Sequence, residues 1–324
     1  MSQNNPIFWF APLHGITYHY MRNVLFSHVV FFDQAIAPFV PAHKSDKLNV
    51  KKWVDLDPEN NPFIPIIPQL MGNDPDAIVD TILAIQSQFG YNQINWNIGC
   101  PMNQIVRKQR GCGVMPHPEL IENVVNRVTQ KTKISFSIKM RLGLNSPREG
   151  VEIIKRLNQY PLDFLVIHPR LGIQQYEGEV DLDSFETMIL NSNQKIVYSG
   201  DINNLNIFQS LQKRFPQIQN WMLGRGVLRD PFLVEELKMG IPLNDEQKLI
   251  RFKSYYYELQ QSLFQLKSEQ DALPKLKELW KYFAQFFQLT EKELLSILRI
   301  NHIQEFKEVT DIAFTKYLND LKTR

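Results

Sequence analysis

Eight short β-branched or apolar runs alternate with helical segments along residues 7–226, and that alternation constrains the fold more than any other feature. In order they are IFWFAP, FFDQAIAP, IPIIPQL, QINWNIG, ISFSIKMR, FLVIHPR, KIVYSGD and NWMLGRG. Strands that are apolar on both faces and alternate with helices indicate a parallel sheet. Eight such units predict an α/β chain folded as a (β/α)8 TIM barrel rather than an open doubly wound sheet. The segment DPDAIVDTILAIQSQF reads as a helix capped by Asp74 with Pro75 in its first turn, and HPELIENVVNRVTQ repeats the design.

The pattern changes after EELKMGIPLNDEQ. Beyond it only helical periodicity is visible, rich in Lys, Glu, Gln, Leu and aromatic residues, so two domains are expected: a barrel over 1–244 and an all-α domain over 245–324. With 44% hydrophobic residues, five Trp and 21 Phe, there is material for a sizeable core. No apolar run approaches the roughly 18 residues of a membrane span, and the N-terminus does not read as a secretory signal. The two cysteines, Cys100 and Cys112, make neither a disulfide framework nor a metal-ligand spacing, so a cytoplasmic, reduced chain without a metal site is expected, and a monomer is expected besides.

The active site of a barrel of this type lies at the C-terminal ends of its strands, so the residues ending each strand are the informative ones. Here they are Pro12-Leu13-His14-Gly15, Gln69-Leu70-Met71-Gly72, Asn97-Ile98-Gly99-Cys100-Pro101, Lys139-Met140-Arg141, His168-Pro169-Arg170, Ser199-Gly200-Asp201 and Gly224-Arg225-Gly226. Gly-rich turns after strands seven and eight let backbone N–H groups approach a phosphate, although Gly after a strand is also ordinary punctuation. Gln, Asn, Lys and His around the mouth could bond the edge of a flat heterocycle, with Lys139 countering negative charge near N1 and O2 of a reduced flavin. Lys139 could equally form a Schiff base, and His168 could be a packed core histidine.

The stretches APLHG, PQLMGNDP, NWNIGCPMNQIVRKQRGCG, IKMRLG, HPRLGIQQYEG, YSGDI and LGRGVL together resemble the tRNA-dihydrouridine synthases, across residues 7–240. That family has an FMN-binding barrel followed by a helical domain. The resemblance implies that Pro12, Leu13, His14, Gln69, Lys139 and His168 contact FMN, with Ser199, Gly200, Asp201, Gly224 and Arg225 around its phosphate. It implies that Asn97, Arg141 and Arg170 meet the substrate. Ser199 stands where the family usually has Asn.

Reducing the C5–C6 double bond of uracil needs a hydride at one carbon and a proton at the other. The resemblance assigns the hydride to reduced FMN, regenerated by NADPH or NADH, and the proton to Cys100; Cys112 is left as structural. A thiol with an ordinary pKa near 8.5 is mostly protonated at pH 7 and can still release its proton. A uridine in folded tRNA must leave its stack to be reached, so the RNA must be held. The basic residues Lys275, Lys277 and Lys281 beside Trp280 are expected to do this through phosphates, the alternative being an ordinary solvated helix face. Two other readings stay open, a barrel flavoenzyme acting on a free pyrimidine and a non-catalytic RNA-binding barrel.

Overall fold

The structure is a computed structural model and describes residues 5–323. Its strands are β1 (Ile7–Phe10), β2 (Gln34–Ile36), β3 (Val40–Pro41), β4 (Ile66–Ile67), β5 (Gln69–Met71), β6 (Gln93–Ile98), β7 (Ser135–Gly143), β8 (Leu165–Leu171), β9 (Ile196–Tyr198) and β10 (Asn220–Leu223). All pairings are parallel, in the order β3-β5-β6-β7-β8-β9-β10-β1-β2-β4. The two ends of this order meet, because β4 runs directly into β5 through Pro68. The ten ladder segments are therefore eight staves, with β2 and β3 forming the second and β4 and β5 the third. Prolines cause both interruptions: Pro38 and Pro68 have no N–H to give to a ladder.

Strand alternation divides two cores. Trp9, Ile36, Ile67, Phe164, Val166, Val197 and Met222 fill the barrel, with Trp9 edge-on to Phe164 at 4.8 Å. Phe8 and Phe10, one residue either side of Trp9, point outward and meet Phe208 and Phe26 under the helical layer. That layer comprises α1 (His19–His28), α2 (Pro75–Phe89), α3 (Asn103–Val106), α4 (Pro118–Lys131), α5 (Pro147–Leu157), α6 (Leu182–Leu190), α7 (Leu205–Arg214), α8 (Arg225–Arg229) and α9 (Leu233–Met239). Asp74 caps α2 as expected, accepting from the N–H groups of Asp76 and Ala77. At α4 the expected repeat of that design is only partial: Pro118 opens the helix, but His117 makes no side-chain cap.

The remainder is helical: α10 (Asp245–Leu266), α11 (Glu269–Phe286), α12 (Glu291–Arg299) and α13 (Ile303–Thr323). Their core is aromatic, with Trp280 stacked on Phe287 at 5.3 Å and Phe252 edge-on to Phe283 at 5.1 Å. The bundle is fastened to the barrel, α10 packing on α1 and α11 on α8. At that seam the Lys248 ammonium lies between Asp230 and Glu236, 2.9 Å from the latter. Among the described residues no helix is long and apolar enough to cross a membrane.

Candidate active site

At the C-terminal ends of the strands is a cavity of about 450 Å³, walled by strand-end loops and roofed on one side by Glu278, Lys281, Tyr282 and Gln285 of α11. Cys100 lines it. The turn carrying the thiol is shaped by Asn97, whose Oδ1 accepts from the N–H groups of Gly99 (3.0 Å) and Cys100 (3.1 Å). The Asn97 amide donates to Gln69 Oε1 at 2.9 Å, Gln69 donates to Asn95 at 2.7 Å, and Asn95 donates to Ser137 Oγ at 3.0 Å. This relay crosses three staves and fixes the thiol turn from beneath.

A second loop supports the turn from the side. Gly111 adopts φ 54°, and a Cβ there would come within 2.9 Å of Cys100 Cβ, so only glycine allows this approach. Burial raises the Cys100 thiol above its ordinary range, against the smaller pull of the Met102 N–H, Arg141 and Lys139. It is therefore protonated at neutral pH. Cys112 is fully buried, donates its S–H to Gly99 O at 3.0 Å, and is pushed up to about 12 by burial.

Lys139 lies in the cavity wall, and among the described residues its ammonium makes no hydrogen bond or ion pair. Burial, then neighbouring Arg141, lowers its pKa to about 8. An unpartnered cation in a cavity wall is a ready site for ligand negative charge. His168 is held well below the ordinary histidine range by burial and by Arg141, Lys139, Arg170 and Arg225, so it is neutral. Arg170 Nη1 donates to His168 Nε2 at 3.2 Å, and because arginine cannot accept, the histidine proton sits on Nδ1. Arg141 donates to Leu171 O at 2.7 Å and lies 5.4 Å from the Tyr176 ring, whose other neighbour is Arg225 at 5.1 Å.

Beyond His168 the cavity ends in the loops after β9 and β10. At Gly200 a Cβ would meet the Tyr198 ring at 2.7 Å, so the close backbone approach requires glycine. Asp201 ion-pairs with Arg170 through one oxygen and with Arg225 through the other, the latter at 2.6 Å. Both guanidiniums hold the Asp201 pKa below the usual carboxylate value against the opposing effect of burial.

A model of the dihydrouridine synthase family matches residues 9–319, spanning both the barrel and the helices. The chain belongs to the dihydrouridine synthase family. Family relatives include tRNA-dihydrouridine synthase B of Pasteurella multocida, 28% identical over 166 residues, 51% of this chain and 49% of that one. The chain thus spans about half the length of that relative. The tRNA-dihydrouridine(16) synthase of Vibrio vulnificus is 28% identical over 233 residues, 69% of this chain and 72% of that one. A solved morphinone reductase mutant in complex with tetrahydroNAD shares the fold, with TM-score 0.52 and 9% identity, over 74% of this chain and 88% of that one.

Within this dihydrouridine synthase fold, Pro12, Leu13, His14, Asn97, Lys139, Arg141, His168, Ser199, Gly200, Asp201, Gly224, Arg225 and Lys281 all line the one cavity. Gln69 is not in its lining: it is fully buried and bonded to Asn95 and Asn97, beneath the thiol turn. Arg170 is likewise 2% exposed, its guanidinium engaged by Asp201, His168 and Gly178 O. Lys275 donates to Gly15 O at 2.6 Å and pairs with Glu278, so it fastens α11 to the first strand-end loop. Lys277 is half-buried and stands outside the cavity lining. Sequence reasoning missed Phe39, stacked on His14 at 4.5 Å, together with Tyr282 and Arg229. Of these only Arg229 carried a signal, standing one helical turn after Arg225.

Proposed function

We propose that this chain is an FMN-dependent tRNA-dihydrouridine synthase that reduces the C5–C6 double bond of uridines in tRNA, as a cytoplasmic monomer. The observation that carries the reading is a protonated thiol, Cys100, sharing one cavity wall with the unpartnered Lys139 cation. The names of the relatives support the tRNA substrate. FMN held in the cavity would supply hydride chemistry for C6 of the uracil ring, with NADPH or NADH as the reductant.

The remaining tasks belong to the chain. Cys100 gives the proton to C5, and its raised pKa keeps that proton available at neutral pH. Lys139 would hold the isoalloxazine ring system and offset negative charge on its reduced form. Neutral His168 offers its Nδ1–H, and Pro12 and Leu13 pack beside the ring. Asn97 keeps one amide N–H free for the uracil edge after serving the turn, and Arg141 stands beside Tyr176 at the entrance. The barrel over 1–244 holds the chemistry, while the helical domain over 245–324 lends Lys281, and beyond the cavity Lys277, to RNA phosphates.

The visible spectrum of the purified protein is the test. A flavin absorbance that bleaches with NADPH or NADH, and returns on adding tRNA lacking dihydrouridine, is expected. Protein that never binds a flavin would sink the reading.

A further inference from the structure

Arg229 is half-buried in the cavity wall on α8, one turn beyond Arg225. Its Nη1 donates to the neutral Asn203 Oδ1 at 3.2 Å, and its buried Nε has no hydrogen-bond partner. Among the described residues it makes no ion pair. The neighbouring arginines differ, since Arg170 and Arg225 both bind Asp201. Those two guanidiniums and one carboxylate leave a single net positive charge at this end of the cavity. Arg229 brings the net charge to two. A phosphate monoester carries about 1.5 to 2 negative charges at pH 7, so only the set that includes Arg229 balances it. Burial, and to a lesser extent the nearby Arg225 cation, lower the pKa of Arg229 against the opposing pull of Asp201 and Tyr282, so its charged form is one that a bound anion would stabilise.

We propose that Arg229 is a second guanidinium ligand for the phosphate monoester of the cofactor, supplying the positive charge that Asp201 cancels. This rests on the reading that the cavity holds FMN.

The test compares FMN with riboflavin, which has the same ring system and no phosphate, by fluorescence titration of flavin-stripped protein. Wild-type protein is expected to prefer FMN. Arg229→Gln should weaken FMN binding by roughly 10- to 100-fold, the usual worth of a charge-assisted hydrogen bond, and leave riboflavin binding unchanged. Arg229→Lys, which keeps the charge, should recover part of the loss. Unchanged riboflavin affinity would also show that the variant is folded. If Arg229→Gln keeps the full FMN preference, or loses both flavins equally, the assignment is wrong. An intact preference with weakened tRNA binding would overturn it too, moving Arg229 to the RNA. If wild-type protein binds neither flavin, the cofactor reading falls first.

Discussion

The backbone N–H of Cys112 donates to the carbonyl of Cys100 at 2.9 Å, so the two thiols flank one hydrogen bond in different environments. Cys100 faces the cavity, while Cys112 is sealed and bonded to Gly99 O. Cys100→Ala should therefore leave flavin binding and flavin reduction intact. The reoxidation of pre-reduced enzyme by tRNA should slow by roughly 10² to 10⁴-fold, the range for a positioned acid. Cys112→Ala should keep the wild-type rate and cost about 1 kcal/mol of stability for the lost bond. Single-turnover stopped-flow separates the two, and a wild-type rate for Cys100→Ala would remove the thiol from the chemistry.

Lys139 illustrates a conflict between stability and ligand binding. Its pKa falls from 10.5 to about 8 on folding, so the folded state disfavours its charged form. Below pH 8 it is charged both folded and unfolded, and the burial penalty is fully present. As pH rises from about 8 to 10.5 the folded protein sheds the proton first, and the penalty fades. Lys139→Met should thus melt higher than wild type in flavin-free protein at pH 7, with the gap closing towards pH 10. The same variant should bind FMN more weakly. A variant that melts lower at pH 7 would contradict this account.

The lysines of α11 should separate in a salt titration of tRNA binding. Lys281 is exposed at the cavity edge, and Lys281→Ala should reduce the slope of log K against log salt by about 0.9, one phosphate contact. Lys275 instead holds Gly15 O, so Lys275→Ala should lower thermal stability and leave the slope unchanged. Equal slope changes in both variants would show that Lys275 leaves the Gly15 carbonyl to meet RNA.

At the seam between barrel and bundle, Lys248 stands between two carboxylates with little solvent around it. Lys248→Met leaves Asp230 and Glu236 close together without their cation. A loss of about 3 kcal/mol in urea unfolding is expected, the lower end for breaking a buried pair. Removing one of the two carboxylates with Asp230→Asn in the same chain, which returns the cluster to its original net charge, should recover part of it, and no recovery would assign the loss to packing instead.

All eight staves were legible in the sequence, because apolar runs closed by turn residues are a local signal that the barrel preserves. The thiol turn and the Lys139–Arg141 strand end were legible for the same reason. The internal bonds of Gln69, Arg170 and Lys275 were not legible, because their types suggest ligands while their partners Asn95, Asp201 and Gly15 lie far away in sequence. A polar side chain at a strand end looks the same in sequence whether it faces the cavity or supports a neighbour that does. Phe39 gave no signal at all, since nothing local distinguishes an aromatic ring stacked on His14 from one in the core.

The prolines that divide the second and third staves have a mechanical consequence. Between these staves the ladder is split in two, with Ala35 and Ala37 bonded on one side of Pro38 and Ala42 on the other. Phe39 stands in the gap and presents its ring to the cavity. A backbone released from the ladder at Pro38 is also released from strand alternation, which lets the Phe39 ring lie against His14 at the cavity rim instead of in the barrel wall.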